Sequence, residues 1–435
     1  MKLRDFLGID YVLLFAAITL TVFGILFIYS SGISSAGVQN SSEYTRQIIW
    51  AVAGLIIALV IAMIDYKRLY DISVYLYVGT LALLVYTCLF GRPVNGARAW
   101  IGIGPFGIQP SEFAKITTIL FLARYLDAFK RGSSFTRFIV SSIIVLIPMG
   151  LILIQPDFGT SLVFIPILLV MTFIAGVSTR YILFIIACIA GTGILMVLPL
   201  WQTFIVRDAL PSLNILLNVR FVGIAVAALT LILIIAFYGL IRYKKRYFYW
   251  ICYSAGVAIF SLGASFASHK VLKDYQIMRL IVFLDPNVDP QGSGWNIIQS
   301  ITAIGSGGLW GKGYLQGTQS HYRFLPEQST DFIFSIFSEE WGFWGGIIAF
   351  GLFLLISLRL IKIMQTTTDS FGTFITAGLS AIYSFHFLVN VGMTMGIMPI
   401  TGIPLLFMSY GGSAITAAMA GIGFALSVYM RRYRR

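Results

Sequence analysis

Long apolar stretches with almost no charge alternate with short polar breaks: 11–29, 48–64, 74–90, 113–126, 138–154, 158–176, 181–200, 222–241, 248–267, 343–360, 371–393 and 413–429. About 20 apolar residues suffice for a helix to cross a bilayer. In lipid each backbone N–H and C=O needs an internal partner, which leaves helices or a closed barrel, and unbroken apolar runs select helices. The pattern predicts an all-α polytopic membrane protein, one membrane domain over 1–435 with about twelve transmembrane helices. The first run follows Lys2 and Arg4 and precedes small residues, as a signal peptide would. It is longer than a usual signal core and more spans follow, so it reads as a retained signal-anchor.

Composition reinforces this. Of 435 residues 58% are hydrophobic and 11% charged, with mean hydropathy +0.89, too apolar for a soluble fold. A net charge of +13 suggests nucleic acid only if the cations are pooled. Instead they gather in alternate breaks: Lys2/Arg4, Lys67/Arg68, Lys130/Arg131/Arg137, Arg180, Arg242/Lys244/Lys245/Arg246, Arg359/Lys362 and Arg431/Arg432/Arg434/Arg435. The other breaks hold isolated cations such as Arg46, Arg92, Arg98 and Arg207. The positive-inside rule makes the first set cytoplasmic, with both termini. The outer face then receives 91–112, the Gln155-Pro156-Asp157 corner, 201–220, 268–342 and 396–412. Loops beyond about 15 residues are usually functional, and 268–342 is the longest. No internal repeat or inverted symmetry appears, which disfavours repeat-built transporters. Cys88, Cys188 and Cys252 lie in or beside apolar runs without CxxC or Cys/His spacing, and read as small core hydrophobes.

Charges at membrane depth are costly unless paired or solvated, so the outward-facing ones are candidates. They are Glu112, Asp157, Asp208, Asp274, Asp285, Asp289, Glu327, Asp331, Glu339 and Glu340, with Arg98, Lys115, Lys270, Lys273, Arg279, Lys312 and Arg323. In Gln109-Pro110-Ser111-Glu112 a proline and a capping-type serine open a helix, and Glu112 and Lys115 share one face, either paired locally or facing a cavity. Asp157 stands at a helix start, as an N-cap or as a cavity carboxylate. Between Asp285 and Asn296, and at Gly305-Ser306-Gly307-Gly308, prolines and glycines force turns and expose N–H groups suited to an anion such as a phosphate. Asp289 precedes Pro290, which removes one backbone donor. Its carboxylate is either poorly stabilised and therefore basic, or the acceptor of an Asx-turn. Glu327 and Asp331 either cap the helix that carries Glu339 and Glu340 or take part in chemistry. His269, His321 and His386 are isolated from one another and from cysteine, against a histidine metal site. Ser293 and Ser409 have no histidine near them in sequence.

Taken in order, Gln109-Pro110-Ser111-Glu112, Gln155-Pro156-Asp157-x-Gly159-Thr160, Tyr275-Gln276-x-x-Arg279, Asp289-Pro290-x-Gly292-Ser293-Gly294, Phe324-Leu325-Pro326-Glu327-x-x-Thr330-Asp331-Phe332 and Pro404 through Ser413 resemble the SEDS family of shape, elongation, division and sporulation proteins. The likeness runs from first span to last and is greatest to the RodA branch, with the division and sporulation branches next. It implies a peptidoglycan glycosyltransferase that polymerises lipid II on the outer face of the inner membrane, with a class B penicillin-binding protein and other elongation-complex membrane proteins as partners. It implies that Asp289 is the catalytic aspartate. Arg98, Lys115, Arg279, Lys312 or a divalent cation (Mg or Mn) would then face the diphosphate, while Glu112, Asp157, Ser293, Glu327, Asp331 and Ser409 would serve the substrate. The competing readings are a lipid II flippase and a scaffold for the transpeptidase. One departure from the resemblance is an inserted helical hairpin within 208–268, ahead of the expected catalytic loop at 268–342.

Overall fold

The computed structural model describes residues 8–34, 37–39, 41–94, 97–102, 107–206, 215–271, 274–322 and 324–433. Lys2, Arg4, Arg207, Asp208, Lys273, Arg323, Arg434 and Arg435 lie outside them, as do the side chains of Asp274 and Ser293. The chain forms two compact units, Met1–Val177 with Gln299–Arg435, and Ser178–Ile298.

The first unit opens with α1 (Tyr11–Ser31), α2 (Glu43–Met63) and α3 (Leu69–Phe90). A short antiparallel pair follows, β1 (Arg92–Val94) and β2 (Ala97–Trp100), with Arg98 opposite Pro93. Then come α4 (Pro110–Ala128), α5 (Ser134–Ile154), α6 (Phe158–Leu162) and α7 (Phe164–Ile174). The second unit holds α8 (Thr179–Trp201), α9 (Val219–Tyr243), α10 (Arg246–Val271) and α11 (Asp274–Leu284), and α12 (Ser293–Ser306) crosses the boundary in sequence. The chain closes with α13 (Thr318–His321), α14 (Ile333–Thr366), α15 (Ser370–Thr394) and α16 (Gly412–Met430).

Ten described helices are long and apolar enough to cross a membrane: α1, α2, α3, α5, α8, α9, α10, α14, α15 and α16. Of the two remaining apolar runs, 113–126 falls in α4, which also carries Glu112, Lys115, Arg124 and Asp127. The other, 158–176, becomes the short segment Phe158–Ile174, divided at Val163.

Burial follows side-chain size. In α16 83% of the spanning window is buried, because its glycines, alanines and serines let other backbones approach. A Cβ on Gly423 would stand 2.6 Å from the Ala58 carbonyl oxygen, so α2 and α16 touch main chain to main chain.

Ion pairs tie the ends of the first unit together. Asp10 caps α1 by accepting from the Leu13 N–H at 3.1 Å and pairs with Arg359 at 2.6 Å. Arg431 reaches Asp65 at 3.8 Å and donates to the Ala62 and Met63 carbonyls at 3.0 and 2.6 Å. Arg359 and Arg431, from basic breaks that share a side in the charge pattern, thus anchor at the start of α1 and just past the end of α2. At the opposite ends of α1 and α2, Gln47 donates to the Ser409 carbonyl at 3.1 Å and Gln328 to that of Ser31 at 2.7 Å.

Helix α14 is interrupted at Gly342, whose φ of 63° and ψ of −158° no helix contains. The interruption strands the Glu339 and Glu340 carbonyls and the N–H groups of Phe343 and Trp344, and the glycine-rich segment 307–313 takes them up. Lys312 and Gly313 donate to Glu339 and Glu340, both at 3.0 Å, while the Gly308 and Leu309 carbonyls accept from Phe343 and Trp344 at 2.9 and 3.4 Å. A non-helical backbone at membrane depth is tolerable only when re-satisfied in this way. Gly307 and Gly311 are required because a Cβ on either would stand 2.1 Å from a carbonyl oxygen of Ser338 or Glu340.

Candidate functional site

The motif at 109–115 is built around a helix start. Pro110 occupies the first turn of α4, where its missing N–H costs nothing. Gln109 precedes it, its N–H donating to Ser413 Oγ at 2.9 Å and its side-chain amide to Asp157 Oδ2 at 2.8 Å. Asp157 also caps α6 by accepting from the Thr160 N–H at 3.1 Å. Burial pushes its carboxyl above the usual carboxylate range, opposed by the Thr160 hydrogen bonds and the Lys115 charge. Ser111, expected as a cap, lies buried within the first turn.

Glu112 and Lys115 form a buried pair, 3% and 2% exposed, with Lys115 Nζ 2.9 Å from both carboxylate oxygens. Its third contact is His386 Nε2 at 3.2 Å, and His386 Nδ1 lies 2.9 Å from the Pro404 carbonyl oxygen. That oxygen can only accept, so Nδ1 carries the proton and Nε2 accepts from the ammonium. All three Lys115 donors are thereby engaged. The neutral imidazole supplies the third partner without adding charge, and its bond is the longest and the only one not to an anion. A cavity beside the pair has about 10 Å³ open to the centre of a water molecule, room for one water. Glu112, Lys115, Tyr383, Leu406 and Ala417 are among its lining residues.

A second carboxylate–lysine pair sits beside the break in α14. Glu339, 0% exposed, receives Lys312 Nζ at 2.7 Å, Thr318 N–H at 2.9 Å, Thr318 Oγ1 at 3.0 Å and Gln319 N–H at 3.1 Å, all on one oxygen. Glu340 accepts from the Leu315 N–H at 3.1 Å and from Ser30 Oγ. Lys312 is therefore committed to the protein, as its Nζ also donates to Thr318 Oγ1 at 2.7 Å. Glu327, exposed with φ of 48°, closes a turn through its carbonyl, which accepts from the Asp331 N–H at 3.1 Å. Asp331 is half-buried, and its own carbonyl accepts from Asn390 at 2.9 Å. Ser409 Oγ accepts from the Leu405 N–H at 2.8 Å, which makes it a brace of the 404–413 loop.

In the second unit Asp289 ends a 3-10 turn at Pro286–Val288, half-buried, just ahead of α12. Asp285 forms an Asx-turn, its carboxylate accepting from the Asn287 N–H at 2.9 Å. The turn at Asp289 is closed by its main-chain carbonyl, which accepts from Gly292 and Gly294 at 3.3 and 3.0 Å. The two glycines have steric reasons. A Cβ on Gly292 would stand 2.3 Å from Asp289 Oδ2, and one on Gly294 would stand 2.2 Å from the Pro286 carbonyl oxygen. The carboxylate thus lies over Gly292. Arg279 is half-buried in α11, and Arg98 is exposed on β2 of the first unit. Among the described residues no three His, Cys, Asp or Glu side chains converge, so no all-protein cage for a divalent cation is formed. Magnesium is commonly held by one or two carboxylates with substrate phosphates.

Of the expected residues, then, Glu112, Lys115 and Asp157 come together, Lys312 joins a different carboxylate, and Ser409 braces a loop. His386 carries no local signal. It lies 271 residues from Lys115 and only the packing of α15 on α4 brings them together.

Ten apolar spans, a polar cluster at a helix start and a glycine-shaped aspartate turn define a polytopic membrane protein with built polar sites. A family model for cell cycle proteins of the FtsW/RodA/SpoVE type matches residues 11–208 and 204–434, and the chain belongs to that family. The peptidoglycan glycosyltransferase RodA of Treponema pallidum is 50% identical over 435 residues, 99% of this chain and 100% of that protein. The peptidoglycan glycosyltransferase MrdB of Escherichia coli K12 is 32% identical, covering 98% and 95%. A chain in a solved peptidoglycan synthase complex that coordinates polymerization and crosslinking is 26% identical, with a TM-score of 0.68 over 98% of this chain and 99% of that one. Thermus thermophilus RodA shares the fold, with a TM-score of 0.61 at 23% identity over 98% of each chain.

Proposed function

We propose that this membrane protein is a peptidoglycan glycosyltransferase of the rod-shape branch, polymerising lipid II at the outer face of the inner membrane. The observation that carries this is end-to-end similarity to the Treponema pallidum RodA glycosyltransferase, 50% identical over all of that protein. The lysine and arginine clusters support a cytoplasmic position for both termini.

Extending a glycan at C1 of a lipid-diphosphate sugar needs a base for the attacking hydroxyl and positive charge for the departing diphosphate. In this reading Asp289 accepts the proton of the acceptor 4-hydroxyl as the new C1–O bond forms and the C1–O bond to the diphosphate breaks. One base and no covalent intermediate suffice for inversion at that carbon, as in single-displacement glycosidases. Gly292 supports the role, since its bare Cα leaves room for the carboxylate. Arg279, half-buried in α11 of the same unit as Asp289, is the cation assigned to the diphosphate. Within the first unit, the Glu112–Lys115–His386 chain is assigned to the polar part of the lipid-linked sugar. A divalent cation held on the diphosphate by its own oxygens would add positive charge there. A class B penicillin-binding protein is the proposed partner, in keeping with the synthase complex whose chain this one resembles.

The test is strand formation from purified lipid II, with and without the transpeptidase, for wild type and Asp289→Asn. Polymer from wild type and a loss of at least about 100-fold in the variant, with helix content unchanged, are expected. Full activity in the folded variant would remove Asp289 from the chemistry. Transfer of lipid II across vesicles without polymer would point to a flippase.

A further inference from the structure

The hairpin of α9 and α10 has no part in the chemistry above, yet its tip is the least compensated charge in the described chain. Arg242, Lys244, Lys245 and Arg246 fall within five residues and are all exposed. Lys244 makes the turn in the left-handed region (φ 53°), so only Lys244 and Lys245 separate α9 from α10. From 209 to 273 the sequence has no Asp or Glu, and neither does α8, which packs on α10. Arg180 at the start of α8 adds a fifth cation, its guanidinium over the Tyr249 ring at 5.5 Å.

Three other basic breaks each hold at least one cation with a partner. Lys130 pairs with Asp127, Arg137 donates to the Ala175 carbonyl, Arg359 pairs with Asp10, and Arg431 reaches Asp65. Among the described residues none of the four tip cations has an ion pair or a side-chain hydrogen bond. Topology alone asks only that positive charge be present, not that it be stripped of partners. The tip is also held in shape. Phe248 packs so closely on Gly239 that a Cβ there would stand 2.4 Å from the ring, and Tyr243 and Tyr247 flank Phe248 at 6.1 and 4.3 Å. Tyr243, Tyr247 and Trp250 are more than half exposed, amphipathic rings of the kind that settle at headgroup level. Only 11% and 17% of the spanning windows of α9 and α10 are buried, so the tip stands at the end of two helices clothed largely in lipid.

We propose that the Arg242–Arg246 turn is a binding site for anionic lipid headgroups, which anchors the hairpin to the leaflet it reaches. The lipid phosphates replace the carboxylates that the chain withholds. A cation close to an anionic membrane strengthens attachment by about five-fold, so four together suffice for a preference over zwitterionic lipid.

The experiment titrates the full chain in neutral detergent with dioleoylphosphatidylglycerol or dioleoylphosphatidylcholine and reads bound lipid by native mass spectrometry. The expected result is at least about ten-fold tighter phosphatidylglycerol binding, lost at 1 M salt, where the Debye length falls to about 3 Å. Lys244→Gln/Lys245→Gln lowers that affinity by at least about ten-fold and leaves phosphatidylcholine unchanged, while Lys244→Arg/Lys245→Arg retains it. Arg242 and Arg246 remain in both variants, and circular dichroism checks their helix content. If the Gln variant does not fold, the salt titration and the Arg variant still decide. Equal affinity of the wild type for both lipids would overturn the proposal and point to an acidic protein partner. An unchanged preference in a folded Gln variant would place the lipid elsewhere, and displacement by equimolar glycerol 3-phosphate would make the ligand a soluble phosphate; either result defeats it.

Discussion

The first unit contains two buried carboxylate–lysine pairs that look alike in composition and differ in what surrounds them. Glu339 collects two main-chain N–H groups and a hydroxyl besides Lys312, and so fastens the 312–319 segment to the break in α14. Glu112 draws on Lys115 through both oxygens, and Lys115 leans on a neutral imidazole beside a water-sized cavity. The first pair is fixed by backbone and serves architecture. The second is held through side-chain donors, and its longest bond is one that a polar ligand could replace. Both carboxylates are buried and both face a lysine; the nature of the donors distinguishes them.

Four substitutions put this contrast at risk. Glu339→Ala should have the largest effect, because it strands two amides and a lysine. About 3–5 kcal/mol of stability should go, seen as loss of monodisperse protein or a lowered thermal midpoint in detergent. Normal folding with selective loss of turnover would move Glu339 into the active machinery. Lys115→Gln keeps a polar side chain beside Glu112 and strands no main-chain amide, so it should lower stability less than Glu339→Ala, while polymerisation falls by about 100-fold. A matching fall in thermal midpoint would erase the difference between the pairs.

His386→Leu comes next. An ammonium N–H without an acceptor costs about 1–3 kcal/mol, or roughly 30-fold in rate at the middle of that range. Glutamine at 386 should restore most of it, and Lys115→Gln/His386→Leu should be no slower than Lys115→Gln alone. Additive losses would show that His386 acts independently of Lys115. Smallest is Lys312→Gln, at most about 1 kcal/mol in thermal denaturation, because Lys312 is 26% exposed at its side chain and Glu339 keeps its other donors. A large loss of activity there would return Lys312 to the diphosphate.

Reading the sequence recovered what depends on local order. Apolar run length located the helices, and three-residue spacing identified the Glu112–Lys115 pair. The position of Asp157 ahead of an apolar run announced a cap. What escaped was long-range. His386 meets Lys115 only through the packing of α15 on α4, and Gln109 meets Asp157 only because two motifs fold back on each other. The glycines at 305–308 suggested an anion loop, since a glycine-rich run reads alike whether it greets a phosphate or another backbone. The available clue was the distant Glu339-Glu340-Trp341-Gly342, a glycine where an apolar helix should have continued.

The exchange of main-chain partners at Gly342 also restricts how the chain can change length. Four bonds are matched in order, Gly308 and Leu309 to Phe343 and Trp344, then Lys312 and Gly313 to Glu339 and Glu340. Side chains on either strand of this splice can vary wherever there is room. A one-residue insertion or deletion between 308 and 313 cannot be absorbed, because it slides the amides and carbonyls out of phase where water does not replace them. Loops elsewhere can lengthen into solvent, but the spacing here is a counted quantity.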